Sequence, residues 1–172
     1  PTLDGGVTDF FEWRVAGMID TQPPLGAMWK ADSLFTSVQF GWNRDWLFLR
    51  FDVDQASEAR QPNLRTEIRL QSLRDHFRIT FSLDPSKPLQ FLLSQATGPE
   101  TWQEIGPYRS IARRSIVELA LPHKDLHLEP GQEVKLSIVV LERNLEVARY
   151  PFQQPAVLTV PGPEFDAAMW RV

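Results

Sequence analysis

Residues 34–53, LFTSVQFGWNRDWLFLRFDV, decide the fold. Apolar residues recur at every second position on both sides of the polar connection Asn43-Arg44-Asp45. A period of two is the spacing of side chains along one face of a β-strand, and a polar connection of about three to five residues is a usual hairpin length. The stretch therefore predicts a β-hairpin with one buried face. That face is carried by Leu34, Val38, Phe40, Trp42, Leu47, Leu49, Phe51 and Val53.

The same alternation recurs along most of the chain. It predicts strands over residues 66–70, 77–83, 117–121, 134–140, 145–150 and 156–160, with residues 169–172 as a candidate closing strand. Residues 123–128 predict one helical turn, whereas residues 55–63 and 94–114 lack the apolar pattern and are expected to be long loops. Many short strands separated by turn signals are typical of a β-sandwich. We therefore expect a single all-β domain, residues 1–172, formed by two antiparallel sheets with few short helical turns.

Composition and charge exclude several classes of protein. The chain has 172 residues, of which 42% are hydrophobic and 23% charged, and none is cysteine. These are ordinary globular values, and the lack of cysteine rules out thiol catalysis, disulfides and cysteine zinc sites. The net charge of −4 offers no basic excess for nucleic acid, and the sequence has no run of about eighteen apolar residues. We expect neither nucleic acid nor a membrane as a partner.

The start of the chain bears on its origin. The first residue is Pro1 rather than methionine, and the residues after it form neither the basic nor the apolar region of a signal peptide. We therefore expect a piece of a longer chain, located in the cytoplasm rather than secreted.

Motifs for catalysis are weak. His123 and His127 are four residues apart, as zinc-binding histidines on a helix would be, but the glutamate of that motif is missing between them. Because unpaired histidines near turns usually lie at the surface, we expect both to be exposed. The sequence has no Gly-x-Ser-x-Gly motif, no phosphate-binding loop and no dinucleotide fingerprint. We predict no catalytic residue, no metal site and no cofactor for this chain.

Two groups of carboxylates are candidate cation ligands. Asp52 and Asp54 share one face of a predicted strand, where they could bind a hard cation if a third carboxylate and a loop carbonyl joined them. The alternative is a solvated strand edge, which is common on the outer face of an antiparallel sheet. The second group, near the N-terminus, fits no ligand loop and comprises Asp4, Asp9, Glu12 and Asp20.

Aromatic residues are the most informative set, because the flat C–H faces of sugars pack on tryptophan and tyrosine rings. Trp42 is in phase with Val38 and Phe40 and is expected in the core, and Trp13 is also expected to be packed. Trp46 projects to the opposite face together with Phe48 and could lie beneath another segment.

Trp102 and Tyr108 stand in a stretch bracketed by Gly98-Pro99 and Gly106-Pro107, which predicts a loop. Two roles remain open for them and for Trp29: contact with a ligand, or packing that anchors the loop. The candidate carbohydrate-binding residues are therefore Trp29, Trp46, Trp102 and Tyr108.

Several motifs carry a resemblance to known families. LDGGVTDFFEW at residues 3–13, followed by Ala16-Gly17 and Gly26-Ala27-Met28, resembles the start of the C-terminal β-sandwich domain of family 57 glycoside hydrolases. VQFGWN at 38–43, LFLRF at 47–51 and VELALP at 117–122 resemble the wider group of sandwiches related to carbohydrate-binding module family 9 and the DOMON domains.

The resemblance implies a non-catalytic accessory module, taken from the C-terminal end of an enzyme that acts on α-glucans. Its partners would be an α-glucan and an upstream catalytic domain of the same chain, which would supply the catalytic carboxylates. The alternative is a structural or assembly domain that packs on the catalytic domain and binds no sugar by itself.

Overall fold

The computed structural model describes residues 3–6, 16–22, 34–162 and 164. These residues form strands and two short 3₁₀ helices, Gln55–Asn63 and His123–Leu126. The strands are β1 (Gly17–Ile19), β2 (Phe35–Trp42), β3 (Trp46–Val53), β4 (Leu64–Gln71), β5 (His76–Ser82), β6 (Phe91–Ala96), β7 (Trp102–Tyr108), β8 (Ile111–Arg113), β9 (Val117–Pro122), β10 (Glu133–Glu142), β11 (Leu145–Tyr150) and β12 (Ala156–Thr159).

The strands assemble into two antiparallel sheets. The smaller sheet has five strands in the order β1-β2-β3-β9-β8. The larger sheet has seven, with the order β11-β10-β4-β5-β6-β7 and with β12 also paired to β10. Apolar side chains from both sheets form one buried cluster between them. The predicted all-β antiparallel sandwich is therefore confirmed.

The hairpin at residues 34–53 forms as its alternation predicts. β2 and β3 pair in register from Val38 opposite Phe51 to Trp42 opposite Leu47. Trp42 is partly buried and packs against the core, as expected. One feature was missed: the register shifts between Phe35 and Ser37, and this irregularity makes Phe35 a fully buried core residue.

Aromatic rings connect the two sheets through the core. The ring of Phe51 on β3 lies 4.8 Å from that of Phe35 and 5.8 Å from that of Phe81 on β5. The buried hydroxyl of Tyr150, on β11, accepts hydrogen bonds from the backbone N–H groups of Leu34 (3.1 Å) and Phe35 (3.4 Å). These contacts tie the first residues of the hairpin to the opposite sheet.

The other face of the smaller sheet is covered in part by the N-terminal segment. Phe48 and Ala120 are buried there, and Leu3, Ala16 and Trp46 pack against them. Phe48 thus lies beneath another segment, whereas Trp46 is partly buried and packs beside it. Glu118 on β9 is fully buried and accepts hydrogen bonds from the backbone N–H groups of residues 4 and 5.

Two predicted loops are wrong. Residues 94–114 contain the end of β6 and all of β7 and β8, and the turn between β6 and β7 is closed by a hydrogen bond from Thr97 N–H to Thr101 C=O. β7 lies at the edge of the larger sheet, which is where a proline such as Pro107 is tolerated within a strand, because one side of an edge strand has no neighbour to bond. Residues 55–63 form a 3₁₀ helix whose first turn is capped by the carboxylate of Asp54. Trp13 and residues 169–172 lie outside the described residues.

Candidate functional site

The outer face of the larger sheet, which points away from the smaller sheet, is the candidate functional surface. One row of cross-strand neighbours on this face runs from β10 to β7. Its members are polar: Ser137, Arg69, Arg78, Ser94 and Glu104. A polar row is expected on a solvent-facing side of an antiparallel sheet, and it supplies hydrogen-bonding groups around any aromatic ring that joins it.

Trp102 is that ring. It pairs with Ala96 at the start of β7, and the guanidinium carbon of Arg78 lies 4.4 Å from its ring centroid. β6 separates the two strands, and its small outward residues Ser94 and Ala96 leave room for the indole and the guanidinium to meet above them. Trp102 remains partly exposed. A guanidinium covers one face of an indole, so this geometry is a cation–π pair that holds the ring in one orientation.

Arg78 has an unusual electrostatic setting. Its Nε is buried without a hydrogen-bond partner, and no carboxylate of the described residues lies within ion-pair distance of its guanidinium. Directly across the strand pair stands a second cation, Arg69, which is held by Glu67 at 2.7 Å. Among the described residues, the ring of Trp102 is thus the group that contacts the guanidinium of Arg78 most directly.

Next to this site, ion pairs shield an outward apolar residue. Val139 points away from the core yet is fully buried, and its cross-strand neighbours are Glu67 and Arg149. Arg149 is bonded in turn to Glu146 at 2.6 Å, and this bond is the main reason that the pKa of Arg149 is raised. The aliphatic parts of these long side chains exclude water from Val139.

Tyr108 lies on the other side of β7 and packs into the edge of the core. Its ring is stacked on that of Phe91, with centroids 5.2 Å apart and planes inclined by 1°. Its hydroxyl donates a hydrogen bond of 2.6 Å to a carboxylate oxygen of Asp125. Of the two roles left open for Tyr108, these contacts correspond to packing, and the ring belongs to a strand rather than to a loop.

We expect the ionisation of Tyr108 to be suppressed in the folded protein. Burial first, and then the hydrogen bond to Asp125, raise the pKa of Tyr108 to about 12 from an ordinary value of 10.0. Because the phenol has a higher pKa in the folded than in the unfolded chain, the neutral Tyr108 contributes to the stability of the fold below pH 10.0. This contribution to stability is lost as the pH rises from 10.0 through about 12. The chain has two tyrosines, so the phenolate absorbance of the wild type minus that of Tyr108→Phe isolates this group.

Asp125→Asn should lower the pKa of Tyr108, because it removes the negative charge beside the hydroxyl. Asp75→Asn is the matched control, since Asp75 bonds Gln95 instead. Circular dichroism at each pH checks that the chain stays folded. A difference signal that is already half developed at pH 10.0 would contradict the expected pKa.

The structure does not bring the candidate aromatic residues together. Trp46 lies at the start of β3 on the outer face of the smaller sheet, where it packs beside Phe48. Trp102 lies on the outer face of the larger sheet, and Tyr108 faces inward from the same strand. Trp29 lies outside the described residues. Of the three described candidates, Trp102 alone combines partial exposure with a polar surround.

The carboxylates weighed as cation ligands have other partners. Asp52 forms a two-pronged ion pair with Arg50, at 2.8 and 3.3 Å. Asp54 caps the 3₁₀ helix by accepting a hydrogen bond from the N–H of Ala56. Within the ranges described above, no group of three or more histidine, aspartate or glutamate side chains is placed to hold a metal ion. Arg50 and the N–H of Ala56 are thus the partners that the structure gives for these two carboxylates.

The expectation that both histidines are exposed is wrong for His123. This residue opens the second 3₁₀ helix and is buried, with its ring 5.3 Å from that of Trp42 in an edge contact. Burial lowers the pKa of His123, and its Nε2 has no hydrogen-bond partner among the described residues. His127 is exposed as expected, and its Nδ1 lies 3.4 Å from a carboxylate oxygen of Asp75.

Fold and surface together define an antiparallel sandwich whose polar, arginine-bearing outer face carries Trp102, partly exposed. Comparisons of the chain with family models, with curated proteins and with solved structures found no match. The resemblance to the family 57 domain therefore stays a prediction. Among the residues that the structure describes, no helix is long and apolar enough to cross a membrane.

Proposed function

We propose that this chain is a non-catalytic accessory module that binds carbohydrate, with Trp102 as the ring on which the sugar stacks. The observation that carries the proposal is the partly exposed indole on an edge strand, fixed by Arg78 at 4.4 Å. A ring held in one orientation loses less conformational freedom when a sugar binds. Glu104 lies close by on the same face, is exposed, and supplies a carboxylate for sugar hydroxyls.

The proposed ligand is an α-glucan, and the proposed setting is the C-terminal part of a family 57 glycoside hydrolase or a related glucan-modifying enzyme. Both come from the resemblance of residues 3–13, 16–17 and 26–28 to the family 57 domain. A module of this kind would hold the polymer near an upstream catalytic domain and make no covalent bond itself.

Affinity electrophoresis tests glucan binding. We expect the wild-type chain to be retarded in native gels that contain amylose, amylopectin or glycogen, and Trp102→Ala to bind about tenfold more weakly or not at all. The matched control is Leu145→Ala, which truncates a side chain that is 72% exposed on β11, at the far end of the same sheet. Wild-type migration that is equal in all three gels and in a plain gel would overturn the proposal. So would equal retardation of the wild type and Trp102→Ala.

A specific observation also supports the structural alternative. Leu73 is 95% exposed and Val157 is 58% exposed, and both line one groove of about 550 Å³ between the β4–β5 turn and β12. Exposed apolar side chains that share a groove are typical of a contact surface. If the chain is an assembly domain, the wild type should show no retardation in glucan gels. In the longer parent chain, Leu73→Asp should then make this domain unfold at a temperature different from that of the upstream domain.

A further inference from the structure

A cavity of about 300 Å³ opens on the outer face of the larger sheet, away from Trp102. Two cross-strand pairs form its floor: Arg65 opposite Ser82, and Thr80 opposite Leu92. The connection between β5 and β6 forms its wall. The residues of that connection that line the cavity are Lys87, Pro88 and Gln90.

The cavity carries an uncompensated positive charge. Lys87 lies 3.4 Å from Asp84, so its charge is largely balanced. Asp84 in turn accepts hydrogen bonds from the hydroxyl of Ser86 first and from its backbone N–H second, and these bonds are the main causes of the lowered pKa of Asp84. Arg65 is exposed and has no carboxylate partner among the described residues. Arg65 is therefore the lining cation that has no carboxylate partner among the described residues, and its single guanidinium matches the one negative charge of a monoanion.

The remaining lining groups suit a hydroxylated ring. The hydroxyl of Thr80 and the amide of Gln90 can donate to and accept from ligand hydroxyls. Pro88 and Leu92 offer apolar surface to ring C–H groups. A guanidinium binds a carboxylate through two parallel hydrogen bonds, which fixes its orientation as well as its position.

We propose that this cavity binds a hexuronate unit, with the carboxylate on Arg65 and the ring hydroxyls on Thr80 and Gln90. The proposal goes beyond glucan binding and does not depend on it. Thr80 lies two residues beyond Arg78 on β5, and Ser82 lies four beyond it. At the usual rise of a strand, Ser82 at the far end of the cavity is about 13 Å from Arg78, the residue that contacts Trp102. A polymer that carries both neutral and acidic sugars could occupy both places.

Amide chemical shifts of the full chain, titrated with sodium glucuronate and sodium galacturonate, test the proposal. We expect saturable shifts for residues 80–92 at millimolar ligand, and binding about tenfold weaker for Arg65→Gln. The matched control is Arg109→Gln, an exposed arginine in the β7–β8 connection, which should bind as the wild type does. Thermal unfolding of both variants confirms that each is folded.

Three further ligands separate the sources of binding. Glucose tests the ring without the charge, acetate tests the charge without the ring, and glucose 6-phosphate tests a dianion. We expect each to bind at least about tenfold more weakly than a hexuronate. Equal binding of any of the three would overturn the hexuronate assignment, as would the absence of saturable shifts or an unchanged affinity in Arg65→Gln. Trp102→Ala should leave hexuronate binding intact. Arg65→Gln therefore tests the hexuronate proposal and Trp102→Ala tests glucan binding, so the failure of one proposal can be told from the failure of the other.

Discussion

Phe51→Ala should lower the free energy of unfolding by about 3–5 kcal/mol. Phe51 is fully buried, and its ring contacts Phe35 on the same sheet and Phe81 on the opposite one. Truncation to alanine removes the ring from the middle of the core and leaves a cavity that the two sheets cannot close without moving. A loss of this size is a large fraction of the stability of a typical domain.

Urea unfolding followed by tryptophan fluorescence measures this loss. Phe51→Leu should cost less than Phe51→Ala, because a branched aliphatic side chain fills part of the space. Leu145→Ala is the matched surface control and should change the free energy of unfolding by about 0.5 kcal/mol or less, since Leu145 is 72% exposed. A loss below about 1 kcal/mol for Phe51→Ala would mean that Phe51 does not connect the sheets as described.

The strands that the alternation predicts correctly all present one face to the core between the two sheets. β3, β5, β9 and β10 show the period of two because the core selects apolar residues at every second position. β7 was missed because it is an edge strand whose residues are largely exposed, so burial leaves no alternating pattern in its sequence. Phe35 was missed because the irregularity in β2 changes which side chain points inward.

The candidate site was predictable only in part. The composition around Trp102 indicated an aromatic residue away from the core, and the structure places it on a sheet rather than in a loop. Its partner Arg78 is twenty-four residues away in sequence and is brought to it by two intervening hairpins of the larger sheet. The alternation of Phe77, Arg78 and Ile79 predicts an outward arginine, but no local pattern predicts that a ring two strands away reaches it.

Glu118→Ala should lower the free energy of unfolding by about 2–4 kcal/mol. Glu118 is fully buried on β9, and its carboxylate accepts hydrogen bonds from Gly5 N–H at 3.0 Å and Asp4 N–H at 3.3 Å. Gly5 C=O in turn accepts from Ile116 N–H at 3.1 Å, so the two chain segments are bonded reciprocally. Hydrogen bonds to a charged group are stronger than neutral ones, and alanine would leave the backbone donors of this segment without their acceptor.

Residue 5 of the N-terminal segment approaches the smaller sheet too closely for a side chain. Gly5 has a φ of 69°, and a Cβ at this position would lie 2.5 Å from the backbone of Arg113 and Arg114. Glu118→Gln should lower the free energy of unfolding less than Glu118→Ala does, because the amide oxygen of glutamine can still accept hydrogen bonds from the same two N–H groups. Glu133→Ala, an exposed glutamate on β10, is the matched control in urea unfolding. If Glu118→Ala were as stable as Glu133→Ala, the buried carboxylate would not be what fastens residues 3–6 to the smaller sheet.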